Sequence, residues 1–515
     1  MACPRFCLAI WLACALLTAR HARGDAAPVP LPPVDSPGQI TAPRLLPAET
    51  APRTVDADLA YWLQGGNTSA GRLATTAAVA PSVEPASFTT AAARASQPPE
   101  ATPWLADRMA RLEKRLDDLA SAEKKGGDGK TPTVKWTGQL QGDHVMISQS
   151  PNNIATLGDI QNFADLRRAR IGAQGEVFDN MVYRMEMDFA LTGKPTFLDV
   201  YFEQQDLPYL RDLRVGYFFE PFGLERYTSN RFTTFMERSL PDVFNPARHL
   251  GVMILRTESD QMGTYFLGTF RSFTDPWGGD FGDPSSQAVT GRVTRLLWYD
   301  EPSGGRYLLH VGGAFSYRGA GGRSVRFQSR PEIRPGDPAV IPFPPFVDTG
   351  NIPTEHWELY GTELMLIHGP FSIQSEAMLV PLNQAAGPRT LFYGWYAFAS
   401  FFLTGENRGY SRETGISDRV YPFENFFRVR GGGPIITGTG AWEVAIRLSQ
   451  IDLTDAGILG GRLTDLTVGL NWYLNPWAKM TFNYVHPMLQ SGTHGPSTAD
   501  IFGIRAQFDF GPPRR

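Results

Sequence analysis

Trp442-Glu443-Val444-Ala445-Ile446-Arg447-Leu448-Ser449-Gln450-Ile451 decides the fold. In an extended chain Trp442, Val444, Ile446 and Leu448 share one face, while Glu443, Ala445, Arg447 and Ser449 share the other. That is the two-residue period of a strand with one oily and one polar side. The rhythm returns downstream. Leu466, Val468, Leu470 and Trp472 oppose Thr467, Gly469, Asn471 and Tyr473, and Met480, Phe482 and Tyr484 oppose Lys479, Thr481 and Asn483. Near the end, Phe502, Ile504, Ala506, Phe508 and Phe510 oppose Gly503, Arg505, Gln507 and Asp509.

A soluble sandwich also alternates, so strand number and connections carry the decision. Working outward, about sixteen strands are predicted near 135–146, 166–177, 180–191, 196–204, 212–219, 250–257, 263–273, 287–298, 306–318, 356–367, 371–380, 390–403, 440–451, 462–474, 477–486 and 500–510. An even count suits a single-chain antiparallel transmembrane β-barrel. Short connections such as Leu474-Asn475-Pro476, His368-Gly369-Pro370 and Glu301-Pro302-Ser303-Gly304-Gly305 are expected on the periplasmic side, and long ones at 220–249, 319–355 and 404–439 on the external side. Trp136, Trp395, Trp442, Trp472, Trp477 and Tyr473 are placed near strand ends, where aromatic girdles belong. Mean hydropathy is −0.22. No run of about 18 apolar residues follows the N-terminus, which excludes a helical membrane protein but not a barrel, because barrel strands alternate.

The chain ahead of this region has another character. Residues 1–24 read as a signal peptide: Arg5, an apolar core from Phe6 to Leu17, then small residues before a cut after Gly24. Cys3, Cys7 and Cys14 all fall inside it, so the mature chain carries no thiol or disulfide. Lipidation at Cys14 is the competing reading, against which Trp11 stands where such signals carry Leu. Residues 25–103, rich in Pro, Ala and Thr, read as a disordered periplasmic spacer broken by Leu59-Ala60-Tyr61-Trp62-Leu63. In 104–125, Leu105, Met109, Leu112, Leu116 and Leu119 repeat at heptad spacing and predict a short coiled-coil helix that assists an already trimeric barrel. The barrel domain is assigned to 134–511.

With the strands placed, five stretches in order resemble the phosphate-selective porin O and P family. They are Phe163-Ala164-Asp165-Leu166-Arg167-Arg168-Ala169-Arg170-Ile171-Gly172; Gly216-Tyr217-Phe218-Phe219-Glu220-Pro221-Phe222-Gly223 with Phe235-Met236-Glu237-Arg238; Leu403-Thr404-Gly405-Glu406-Asn407-Arg408; the segment from Gly440 to Ser449; and Leu470-Asn471-Trp472-Tyr473-Leu474-Asn475. The resemblance implies an outer-membrane homotrimer of sixteen-stranded anion channels, with basic residues drawing phosphate down the lumen and loops folded inward to narrow it. It also aligns Arg167 and Arg168 with a basic pair on the family's lumen wall. This chain departs from the pattern at Phe219, where the family carries Lys.

Charge supports the expectation without naming a solute. The formal net charge is −4, yet from residue 134 onward Lys135, Lys194 and Lys479 are the only lysines beside 31 arginines. Guanidinium forks can hold an oxyanion at two points, although a G+C-rich genome favours Arg codons too. The candidate lumen cations are Arg167, Arg168, Arg170, Arg184, Arg226, Arg231, Arg238, Arg447 and Arg505; Arg318, Arg323, Arg326, Arg330 and Arg334 are the candidate entrance cations. By parity Arg168 and Arg170 face inward with Gln174 and Glu176. Glu186, Asp188, Glu443 and Asp509 share those polar faces, so a wall of mutually neutralising ion pairs is the alternative to an anion ladder.

Enzyme chemistry finds no foothold. His486 with Ser491 and His310 with Ser316 lack a third partner, and His356 and His368 lack metal-ligand spacing. No metal, cofactor or nucleic acid is expected. The expected partners are outer-membrane lipid, small anions such as phosphate, and two further copies of the chain; a general or other-solute diffusion porin and an envelope-anchoring barrel are the alternatives.

Overall fold

The computed structural model describes residues 132–178, 180–191, 193–280, 285–429, 436–491 and 495–512; the assignments made for 1–24, 25–103 and 104–125 lie outside them. Sixteen strands make the wall: β1 (Lys135–Gln149), β2 (Phe163–Val177), β3 (Met181–Asp188), β4 (Thr196–Leu207), β5 (Arg211–Phe219), β6 (Arg248–Thr257), β7 (Gly263–Arg271) and β8 (Gln287–Tyr299). The second half comprises β9 (Tyr307–Gly319), β10 (Ile352–His368), β11 (Phe371–Gln384), β12 (Thr390–Phe402), β13 (Ala441–Asp455), β14 (Ile458–Asn475), β15 (Ala478–Ser491) and β16 (Gly495–Phe510). Each pairs antiparallel with its neighbours, and β16 closes on β1 from Gly138 opposite Phe510 to Gln149 opposite Ala499. Closure leaves no unpaired edge, the condition for a sheet to stand in hydrocarbon.

All sixteen predicted strands are present. β14 and β16 begin at 458 and 495 rather than 462 and 500. Strand pairing continues there past the span where lipid imposes apolar alternation, so periodicity falls silent before the ladder ends.

The alternation is resolved as oil outside and polar groups inside. Val444, Ile446, Leu448, Val468, Phe502, Phe508 and Phe510 are exposed on the outer face, while Glu443, Arg447, Ser449, Thr467, Asn471, Arg505, Gln507 and Asp509 are buried toward the lumen. Trp395 lies mid-strand in β12, and Tyr473 is buried on the lumen side, so neither belongs to an interfacial girdle.

One expected connection lies on the opposite face. Odd strands run away from the face that holds both ends of the barrel and even strands return to it, so loops 220–247 and 320–351 sit at the far mouth, whereas 403–440 follows β12 and sits with the short turns. Its side chains show this directly. Arg412 donates to Gln261 O (3.2 Å) and to Glu301 (3.0 Å), and Arg419 donates to Pro476 O, all three partners lying in or beside short turns. Length suggested an external loop; strand parity decides otherwise.

Loops enter and narrow the lumen from both ends. Phe222, Met236, Leu240 and Phe244 of loop 220–247 pack with Phe327, Ile333, Phe343 and Phe346 of loop 320–351 against inward Val145, Val380, Ile451, Leu463, Val485 and Ile501. Gly503 makes room for this: a Cβ there would stand 2.8 Å from Met236 Sδ and 2.9 Å from Ile333 Cδ1. From the other end Ile416 joins Leu224 and Tyr227 in a second core, Ser417 N donates to Thr228 Oγ1 (3.3 Å), and Arg292 donates to Thr414 O (2.9 Å) and Gly415 O (2.7 Å). A single helical turn, Leu224–Tyr227, hangs from the wall because Glu376 accepts the N–H groups of Leu224 (2.8 Å) and Glu225 (2.6 Å). Gly223 before it has φ +70°, and a Cβ would sit 2.9 Å from that carboxylate.

Candidate functional site

Polar side chains gather where loops 220–247 and 320–351 meet the wall. Between β1 and β2 the register shifts, with Gly142 opposite Leu166 and Gln141 opposite Arg168, so Arg167 is the extra residue of a bulge. Parity placed Arg168 and Arg170 inward. The bulge brings Arg167 in beside them.

Glu237 is the hub. Arg167 binds it through two parallel bonds, Nε to Oε1 at 2.9 Å and Nη2 to Oε2 at 3.0 Å. Arg168 lies 3.4 and 3.3 Å from the same two oxygens and donates to Gln141 at 2.6 Å. Arg505 Nη2 reaches Oε1 at 2.7 Å while the same guanidinium grips Asp143 at 2.7 and 2.6 Å. Arg334, from loop 320–351, completes the ring at 3.6 Å with its side chain 45% exposed. Burial pushes the Glu237 carboxyl up, but Arg167, Arg168, Arg505 and Arg334 together outweigh it and hold the group well below the ordinary carboxylate range.

The other lumen candidates are each engaged. Arg170 meets Asp188 (2.7 Å) and Asn230 (3.2 Å), and Arg184 meets Gln174 (2.6 Å) and Glu186 (3.0 Å). Arg231 meets Glu186 (3.2 Å), Arg226 meets Asp242 (2.9 Å), and Arg238 donates to the carbonyls of Glu225, Arg226 and Thr228. Arg447 is the mirror case, one buried guanidinium donating to Glu332 (2.8 Å), Glu225 (3.0 Å) and Glu237 O (3.0 Å).

Only part of the expected entrance group lies at an entrance. Arg318 is buried on β9 against Glu220 (2.7 Å) and belongs to the wall. Arg323 pairs with Asp280 (3.0 Å), Arg326 pairs with Asp348, and Arg330 donates to Phe343 O at 2.5 Å. Arg334 faces the inner ring instead.

Sequence reading passed over further lumen cations. Arg292 pairs with Glu363 (2.9 Å), Arg408 with Glu443, and Arg419 with Asp509 (2.5 Å) while lying 4.0 Å from the centre of the Trp477 ring. The parity of β8, where Ala288, Thr290, Arg292 and Thr294 face inward, carried the signal for Arg292. Arg408 closes one of the family-like stretches without standing out there as a lumen cation and Arg419 lies in none of them; the placement of both depends on the course of segment 403–440. The histidines pair elsewhere than with the serines considered above: His310 Nδ1 lies 2.8 Å from Tyr410 Oη, and His486 Nδ1 2.8 Å from Asp500 Oδ1. No cluster of metal-ligating side chains occurs among the described residues.

A closed sixteen-stranded barrel with an oily belt and an arginine-rich lumen narrowed by inward loops defines an outer-membrane β-barrel of the porin class. The chain belongs to the family described as phosphate-selective porin O and P, which it matches over residues 134–510. It is 27% identical over 412 residues to Porin O of Pseudomonas aeruginosa, covering 73% of this chain and 88% of that protein. It is also 27% identical over 427 residues to an uncharacterised protein of Caulobacter vibrioides, covering 80% and 78% respectively. Among solved structures it is similar to the anion-selective porin from Comamonas acidovorans (8% identity, 73% of this chain and 100% of that one, TM-score 0.44). A similar match is OmpT, an outer membrane protein of Vibrio cholerae (11% identity, 74% and 100%, TM-score 0.44). The protein resides in the outer membrane.

Proposed function

We propose that the protein is a passive, water-filled channel for anions, phosphate or related oxyanions, working as a homotrimer and not as an enzyme. The observation that carries this reading is the Glu237 ring, where Arg167, Arg168, Arg505 and Arg334 converge on one carboxylate at the narrowed part of the lumen. Four cations face Glu237 and Asp143, with Asp165 nearby, so positive charge is in local excess where a solute must pass. Trimer formation follows the family resemblance and fits a wall of unequal height. β3, β5 and β7 have 8, 9 and 9 residues against 17 and 18 in β10 and β14, and a low wall suits burial against a neighbour.

Purified protein in planar bilayers under a KCl gradient is expected to give a reversal potential on the chloride side of zero, with single-channel current reduced by added phosphate. No anion preference and no phosphate effect would sink the reading. A general diffusion porin is the second reading, favoured by one observation: the nine proposed lumen arginines all bind protein acceptors.

A further inference from the structure

We propose that segment 403–440 is a strap held by phospholipid of the periplasmic leaflet: its outer part beds in lipid beside Trp442 and Trp472, and this grip keeps its inner hairpin seated across the lumen. The inference rests on the channel reading, whichever ions pass, and goes beyond it by naming a lipid contact that sets how wide the pore stands.

The segment straddles the rim of the barrel. On the lumen side Gly409–Ser411 pairs with Ile416–Asp418, and the tip between them is held by Arg292, which donates to Thr414 O (2.9 Å) and Gly415 O (2.7 Å). Ten residues after Ile416, the ring of Phe426 packs edge-on against Trp472 at 4.6 Å, and Trp472 stacks on Trp442 at 4.9 Å. Both tryptophans lie on the outward parity of β13 and β14, with Val444 and Val468. One short run of chain therefore touches the pore at one end and the oily exterior at the other. The outer part is fastened to the wall twice, by Phe426 N to Leu474 O (2.7 Å) and by Trp472 Nε1 to Thr439 O (2.8 Å).

That outer part presents bare rings. Phe423 is 66% exposed and Phe427 59%, with Phe426 and Leu403 also exposed beside them. Phe427 has φ +67°, a conformation that side-chain-bearing residues rarely take. Lipid is the occupant for two reasons. The patch continues the tryptophan pair of the lipid-facing wall, at the level where aromatic rings meet headgroups. It also stands on the far side of the barrel from the low wall suited to a neighbouring copy, since β13 is diametrically opposite β5 in the ring of sixteen. The hairpin needs such a hold, because two arms of three residues make a marginal ladder on their own.

The experiment uses full-length protein with Cys3, Cys7 and Cys14 replaced by Ala, carrying a fluorophore on Phe423→Cys or, as a belt reference, on Val444→Cys. In vesicles of brominated phosphatidylcholine, the Phe423 label is expected to be quenched at least about half as strongly as the Val444 label. A label that stays bright, as burial against a second copy or exposure to water leaves it, overturns the inference. In planar phosphatidylcholine bilayers, Phe426→Ser with Phe427→Ser is expected to raise single-channel conductance about twofold and add flicker, as the hairpin leaves the lumen. Should that pair fail to assemble, Phe423→Ser is expected to give a smaller rise. Thr228→Cys with Ser417→Cys, placed where Ser417 N lies 3.3 Å from Thr228 Oγ1, staples the hairpin under oxidation and is expected to restore the wild-type conductance until reductant is added. Unaltered conductance in the assembled ring variant, or a rise that persists in the stapled one, overturns the inference. A wild type that inserts without conducting fails the channel reading instead, and bromolipid quenching still reports the contact.

Discussion

Two ion clusters sit on either side of the short run from Phe235 to Arg238, and their stoichiometries are inverted. Toward β16, β1 and β2, the side chain of Glu237 lies among four guanidiniums. Toward β13 and β14, the carbonyl of the same residue accepts from Arg447, one guanidinium that also holds Glu225 and Glu332 with Asp465 beside them. The first has cations to spare and a partly open member; the second has acids to spare and is sealed. The difference teaches that counting arginines on a lumen wall does not locate an anion site, because a buried pair in balance stiffens the wall and only a local surplus is available to solute.

The comparison breaks first at Arg447. Arg447→Met leaves Glu225 and Glu332 buried without their cation, and is expected to lower barrel stability by about 3–5 kcal/mol. The readout is the temperature at which the folded species disappears on a gel of unboiled samples. A loss under about 1 kcal/mol would make this cluster no more structural than a surface pair.

Next in size is the packing that sets both clusters. Gly503→Leu drives a side chain into Met236 and Ile333. It is expected to cost about 1–3 kcal/mol and to displace both inward loops, seen as altered single-channel conductance.

Acidity sharpens the contrast. Burial raises the Glu225 carboxyl above its ordinary value despite Arg447, whereas Glu237 is held well below. For Glu225 the folded form binds its proton first, so stability rises as pH falls from neutral toward the ordinary carboxylate value. For Glu237 the ionised form stabilises the fold above the unfolded value of about 4.3, and that contribution is lost only as pH falls on through its lower folded pKa. Glu225→Gln is therefore expected to flatten the rise in melting temperature between pH 7 and pH 5, while Glu237→Gln leaves the slope of that interval unchanged.

The smallest effect belongs to a pair outside both clusters. Arg389, 3.2 Å from Glu358 and largely exposed, is expected to change stability by about 0–1 kcal/mol when replaced by Ala.

Much of this was legible in the chain. The strands of the wall and the side each presents to lipid follow from a period of two, which the pleat imposes residue by residue. The face on which 403–440 lies was misjudged because loop length was weighed above strand parity, although parity is itself a sequence property. Arg167 is another matter. Its inward turn depends on a bulge against Gly142, a register fact that belongs to two strands at once.

Sequence alone determined a closed barrel, its apolar exterior and an arginine-rich interior, because each of these is written in nearest and next-nearest neighbours along one strand. Tertiary structure alone decided which arginines balance and which are in surplus. Asp143, Arg167, Arg168, Glu237, Arg334 and Arg505 are far apart in the chain and meet only once the barrel has closed and two loops have folded into it. Coulomb interaction falls with distance through space rather than with separation along the chain, so the charge a solute meets is set by that assembly.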